Sequence, residues 1–493
     1  MSWLDSLAEH ALPLVGNLKK SVRSILVLAL IALACALVWA LATSAAGAER
    51  VIVLAPTGLL VAVATLLLSS ASVFQLRNDK ASIDPAPGGE FILGCALGRR
   101  TVTCGALRIR GGTSDGLPRE ERVSVFAESS STSLPIQLRG SSQLYDELAK
   151  LIVHTLGEAD KHVGFTRCSS IGISTPGIIN LQTGELTLSV TVPEGADIPR
   201  EIARQLIAQK SQTVQKAFGP DADSEQQLAK RMYVDNDVRC IARHELSAHE
   251  WKQFACLYAG SGVGGALVIN GQVHYGANAS AGHIGHLELE AARAGSLPLW
   301  TGQQLGPAEC DCGKFGFHLE PFASYAGLER ITEAVIVDTG RPTLDLLKHL
   351  FAEAGLESDD FYRSGFPQVI ASVGGQTSPA LPEIVSTAIA QNRHVKDLTS
   401  TVLRAYVGIL TSGIVTLTHV FDPGVVVLCG PLIEQLRKNS LFAKFLRDGL
   451  PNHLLDASAR PQLCPADSRE AQWKGAALLA WDPSYHALRT SET

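Results

Sequence analysis

Between Phe254 and Ile269 the chain reads FACLYAGSGVGGALVI: an apolar run, a glycine-rich turn and a second apolar run. The pattern predicts two strands joined by a turn that carries almost no bulk. At Gly260, Ser261, Gly262, Gly264 and Gly265 backbone N–H groups can therefore come close to a phosphate. Many unrelated folds own such a turn. What narrows the field is the order of the segments after it. Gly276-Ala277-Asn278 comes first, then Ala281-Gly282-His283-Ile284-Gly285-His286. Cys310-x-Cys312-Gly313-x-x-Gly316 follows, and then Glu320 and Ser324.

The rest of the composition excludes several classes. A net charge of −6 gives no electrostatic footprint for nucleic acid. The ten cysteines are scattered, with only Cys310 and Cys312 close together, which speaks for a reducing compartment and against a disulfide framework. The N-terminus adds a strong expectation of its own. Residues 24–48 and 51–76 are free of charge, and each is long enough to cross a bilayer as a helix. Glu49 and Arg50 alone bear charge between them, so the two runs predict a transmembrane hairpin within residues 24–76. A cleaved signal peptide is the alternative for the first run, and the second apolar run directly after it argues against that. Lys19, Lys20 and Arg23 precede the first run and Arg77 and Lys80 follow the second, which predicts that both ends lie in the cytoplasm. Residues 1–23 would then be a cytoplasmic or interfacial segment of an inner-membrane protein, and residues 77–90 a linker.

Beyond the linker, residues 91–97, 101–109 and 121–128 read as an antiparallel meander. Residues 142–157 and 199–217 have helical periodicity, 168–177 is a strand and turn, and 231–237 is another strand. Helices dominate after residue 325, and a last strand is expected at 424–430.

Further motifs complete the series. They are Ile171 to Gly177 ending in Pro-Gly, Val234-Asp235-Asn236-Asp237-Val238, Asp422-Pro423-Gly424 through Cys429-Gly430-Pro431, and Gly475-Ala476-Ala477. In this order they resemble the ROK family of sugar kinases and sugar-responsive repressors, members of the actin-like ATPase superfamily, over about residues 91–480. The resemblance implies an α/β, two-lobed, actin-like or hexokinase-like (ribonuclease H-like) fold, with lobes at about 91–245 and 246–493. It implies Asp237 as general base on a sugar hydroxyl, with Asn236, His283, His286 and Glu320 holding the sugar. It places the phosphates of ATP, with Mg2+, at Gly260, Ser261, Gly262, Gly264 and Gly265, and the adenosine near Gly430. The chemistry is consistent: a hydroxyl is a poor nucleophile until a carboxylate takes its proton as phosphoryl transfer proceeds. Read without the resemblance, an Asn-Asp pair after a strand is a helix N-cap, a part Asp237 could also play. A homodimer is an assembly the resemblance allows.

The departures matter as much. Actin-like kinases have Asp-x-Gly-Gly-Thr between their first two strands; here the segment is Ala96-Leu97-Gly98-Arg99-Arg100, so the acid is gone. Arg99 and Arg100 offer charge for a phosphate, or are two solvated turn residues. Gly111-Gly112-Thr113 comes one strand too late to replace the lost motif. His283 stands where the family has Glu, and Arg239 where it has a small amide. The family's zinc site uses His and three Cys; here His286, Cys310 and Cys312 remain and Phe317 takes the third Cys position. His318 is a substitute ligand if the backbone turns it inward, and a metal-free loop is the alternative. The function expected is a membrane-anchored, ATP-dependent hexose or amino-sugar kinase with weakened catalysis. The alternative is a non-catalytic sugar or nucleotide sensor; a ROK-type regulator is disfavoured because apolar runs occupy the end where its DNA-binding domain would sit.

Overall fold

The structure, a computed structural model, describes residues 91–490 except 99–100, 110–117, 119–122, 132–142, 164–166, 182, 189–194, 290–296, 300–301, 337–339, 356–359, 374–380, 457 and 459. The expected hairpin at 24–76, the linker, Arg99, Arg100 and Gly111-Gly112-Thr113 lie outside the described residues.

Two five-stranded sheets are built on one plan. In the first, β1 (Phe91–Leu97) is the central strand and is buried along its whole length. β2 (Val102–Ile109) and β3 (Val123–Ser131) pair with it as an antiparallel meander, and β4 (Cys168–Thr175) and β5 (Met232–Asn236) continue on its other side in parallel. The second sheet repeats the order. β6 (Phe254–Ala259) leads into the antiparallel β7 (Val263–Ile269) and β8 (Gln272–His274), and β9 (Val425–Cys429) and β10 (Gln462–Pro465) lie parallel on the far side. The orders are β3-β2-β1-β4-β5 and β8-β7-β6-β9-β10. This is the duplicated architecture of the two-lobed actin-like fold.

Helices cover the sheets. α1 (Gln143–Val163) turns Leu144, Leu148, Ile152 and Leu156 into the first core at a spacing of four, each worth roughly 1.5–3 kcal/mol of burial. The periodic stretch 199–217 is two helices rather than one. α2 (Ile198–Ala208) stops at Lys210, whose left-handed φ of 47° ends the turn, and Ser211 caps a new helix at Gln212–Phe218. α4 (Arg393–Phe421) is long and apolar enough to span a membrane, yet 72% of its apolar window is buried inside the second lobe, so it is a core helix.

Two helices lie between the lobes: α3 (Asp237–Ala248), packed on the second sheet, and α7 (Ser468–Ala477), packed on the first. α7 therefore carries the end of the chain back to the first lobe. Its approach is so close that a β-carbon on Gly172 would strike the Ala476 carbonyl, and one on Gly475 would strike the Cys240 carbonyl of α3. The backbones touch because these glycines leave nothing between them.

Candidate active site

The ends of β1, β4 and β5 face the β6–β7 turn across a cavity of about 500 Å³. At its first-lobe wall Asn236 and Asp237 divide the work that the sequence left open. Asn236 is the helix cap: its side-chain oxygen accepts from the N–H groups of Val238 at 2.9 Å and Arg239 at 3.3 Å, and its amide donates to the Gly177 carbonyl at 3.1 Å. Asp237 is the first residue of α3, and its carboxylate lines the cavity, with one oxygen accepting from the Val238 N–H at 2.9 Å. A carboxylate at a helix N-terminus is favoured by the aligned peptide dipoles. Because Asn236 takes the capping role, Asp237 is not needed for it.

The opposite wall is the glycine turn. Gly264 lies so close to α3 that a β-carbon would be 2.8 Å from the Val238 side chain, so the turn and the Asn-Asp segment are locked together. Glu320 braces the turn from behind. One oxygen accepts from the Val263 N–H at 3.1 Å; the other accepts from the Asp311 N–H at 3.3 Å and the Cys310 thiol at 3.2 Å. A sugar reaching Glu320 would share this carboxylate with three protein donors. Tyr325 adds a bond from its N–H to the Gly260 carbonyl at 2.9 Å. Gly430, with φ of 99°, carries β9 into the helix at Pro431–Leu436, named α5 here, and Pro431 lies against Gly260.

His283 and His286 both line the cavity, their rings 6.3 Å apart. Burial, and then the nearby Arg239 and His286, lower the His283 pKa to about 4, so the ring is neutral at ordinary pH. His244 is likewise lowered to about 4, mainly by burial. An unfolded chain would protonate both near 6.5, so between pH 6.5 and 4 the unfolded state binds more protons than the folded one. Stability is therefore expected to fall as pH drops through that window. Denaturant titrations at pH 7 and pH 4.5 should show the loss, and His283→Gln should remove part of it.

His286, Cys310, Cys312 and His318 bring four ligand atoms within 4.8 Å of one another. His286 Nδ1 is 3.4 Å from the Cys310 sulfur, and His318 Nδ1 is 3.5 Å from the Cys312 sulfur. Tetrahedral zinc with bonds of about 2.0–2.3 Å sets ligands roughly 3.4–3.8 Å apart, so two thiols and two imidazoles here fit zinc. Phe317 explains the shift of one residue. Its buried ring stacks against Phe322 at 5.9 Å, which pins it in the core, and the next residue, His318, faces the cluster while its backbone bridges to Glu288.

Ala96 is at the cavity floor, beside Gly98 and Thr103, where the familiar acid is missing. Arg363 and Arg469 also line the cavity, and neither makes an ion pair among the described residues. No motif announces either one. A buried network behind the site was also missed. Asp235 accepts from Arg239 at 2.7 Å, Arg243 at 2.9 Å and the Tyr275 hydroxyl at 2.9 Å; Arg243 also donates to Asp482 at 2.7 Å. Burial alone would raise the Asp235 pKa, but the two guanidiniums hold it below its ordinary value. Arg239 and Arg243, four residues apart, share one face of α3, and Asp235 near the end of β5 meets them across the strand–helix junction.

A cleft between two duplicated lobes, with a carboxylate facing a glycine turn, is thus the central feature of this α/β fold. The ROK family profile matches residues 121–482, and the chain belongs to the ROK family. Its relatives include an N-acetyl-D-glucosamine kinase of Pectobacterium atrosepticum, 29% identical over 208 residues, covering 42% of this chain and 59% of that protein. Another, from Yersinia pestis, is 26% identical over 232 residues, covering 46% of this chain and 75% of that protein. The chain thus spans about three-fifths of the length of the first of these. Among solved structures, a ROK family glucokinase from Streptomyces griseus in complex with glucose and AMPPNP is 15% identical, with a TM-score of 0.49, covering 78% of this chain and 98% of that one. The ROK hexokinase of Thermus thermophilus is 23% identical, with a TM-score of 0.47, covering 79% and 97%.

Proposed function

We propose that this chain is an ATP-dependent kinase for a hexose or amino sugar, tethered to the inner membrane with its lobes in the cytoplasm. The observation that carries the reading is the Asp237 carboxylate, released from capping by Asn236 and lining the same cavity as the Gly260–Gly265 turn. In this reading a sugar hydroxyl lies against Asp237 with Asn236, His283 and His286 around it, and Asp237 accepts its proton as the oxygen attacks the γ-phosphoryl group. The turn's N–H groups hold phosphates, and the adenosine lies near Gly430, where Pro431 and Glu434 line the cavity. Mg2+ enters with the nucleotide as part of the substrate. Ala96 contributes no ligand to it, so turnover is slow. Phosphoryl transfer depends on positioning and charge neutralisation, and Arg363 and Arg469 are the cations available for the latter.

A coupled assay with ATP, Mg2+ and a panel of hexoses and N-acetylated amino sugars tests the proposal. Slow transfer to one sugar, raised many-fold by Ala96→Asp, is the expected result. The second reading, a sensor that binds without turning over, rests on Ala96 and His283 in place of two acids. Binding without transfer in both wild type and Ala96→Asp would favour it. No sugar or nucleotide binding at millimolar concentration would defeat both.

Zinc is part of the proposal. His286, Cys310, Cys312 and His318 would hold one ion as a structural clamp on the loop that Glu320 ties to the glycine turn. Purified protein is expected to hold about one zinc per chain by elemental analysis, and His318→Ala and Cys312→Ser to lower that occupancy sharply. Zinc-free wild-type protein after gentle purification would favour the metal-free loop. The membrane tether rests on the two charge-free runs and the flanking lysines and arginines. Periplasmic activity of a reporter fused at Thr493 would overturn the orientation.

A further inference from the structure

The edge strand β10 of the second sheet borders a second cavity, of about 460 Å³, whose lining shares no residue with the cleft. β9, β10, α5 and the amphipathic helix Ser440–Gly449, named α6 here, form its walls. Ile433, Phe442, Leu446, Leu450 and Leu463 make the interior apolar. Arg437, Arg447 and Arg460 line it as exposed side chains, and none makes an ion pair or side-chain hydrogen bond among the described residues. The chain leaving Leu450 continues to Leu455, which is 94% exposed. The Leu455 N–H bonds the His419 ring at 3.2 Å, next to Val420, which is 83% exposed. The molecule thus combines an apolar slot, three cations without an ion pair among the described residues, and two bare aliphatic side chains on two segments linked by the Leu455–His419 bond.

We propose that this groove seats an acyl chain of an anionic phospholipid, with Arg437, Arg447 and Arg460 holding the headgroup phosphate. The charge selects the occupant: three arginines lining one cavity match a phosphate, and the apolar remainder of the lining matches hydrocarbon. Leu455 and Val420 then enter the interface beside it. The inference rests on the proposed tether, whose residues 77–90 could span at most about 50 Å and would keep the lobes beside a bilayer.

Hydrogen exchange on the full chain tests this, with the protein in detergent and in nanodiscs of phosphatidylcholine alone or mixed with phosphatidylglycerol. Residues 437–464 are expected to exchange several-fold more slowly only in the anionic discs. The triple variant Arg437→Ala, Arg447→Ala, Arg460→Ala should abolish that slowing, and all three side chains are exposed, so the fold should survive. Equal exchange in the two lipids overturns the proposal. Slow exchange already present in detergent, and lost when residues 1–20 are removed, assigns the groove to the chain's own N-terminus and also overturns it. Alkaline extraction of native membranes reads the tether separately: a chain that resists extraction but shows no lipid-dependent protection keeps its tether and loses the groove.

Discussion

Asp237→Asn is expected to lower phosphoryl transfer by about 10²–10⁴-fold while leaving sugar affinity nearly unchanged. The amide keeps the shape of the side chain and can still accept from the Val238 N–H. It cannot take a proton from a hydroxyl. The cap is untouched, since Asn236 supplies it, so thermal stability should change little. Single-turnover rates and sugar titrations on the same preparations separate the two effects. A variant that turns over like wild type removes Asp237 as the base. A variant that loses stability as well would mean the residue is structural.

Arg243→Met is expected to cost about 3–5 kcal/mol, the usual result of removing one member of a buried ionic cluster. Arg243 is fully buried and holds Asp235, Tyr275 and Asp482 together, joining the segment before the Asn-Asp pair to the end of the chain. Without it both carboxylates lose a charged partner in a dry interior. Tyr275→Phe, which removes only a hydroxyl, should cost about 1 kcal/mol. Urea midpoints for the three proteins decide the matter. Equal midpoints for Arg243→Met and wild type would sink the idea that the network holds this part of the fold.

These two residues also mark how much could be read from the chain alone. The meander at β1, β2 and β3 was legible because apolar runs and turns alternate locally. The plan shared by the two sheets was not, since it lies in pairings such as Phe91 with Cys168, far apart in sequence. The Asn-Asp pair was found but its division of labour was not: which of two adjacent polar residues caps a helix depends on where the last strand ends. His318 was named as a stand-in ligand, and what turns it inward is Phe317 anchored on Phe322, a contact that no spacing reveals. Arg239 looked like an oddity until its partner Asp235 came into view. Asp482, brought in from the end of the chain, left no local trace at all.

The bare contact between Gly475 and the Cys240 carbonyl also limits how the lobes can move. Two helices whose backbones touch have no side chains between them to yield, so they cannot slide without breaking contact. They can pivot. Rotation of one lobe against the other about the α3–α7 crossing is the motion this contact leaves open. Spin labels on α1 and α4 are expected to draw together when ligands bind, while a pair flanking residues 240 and 475 keeps its distance. A change in the second pair would replace rotation with shear.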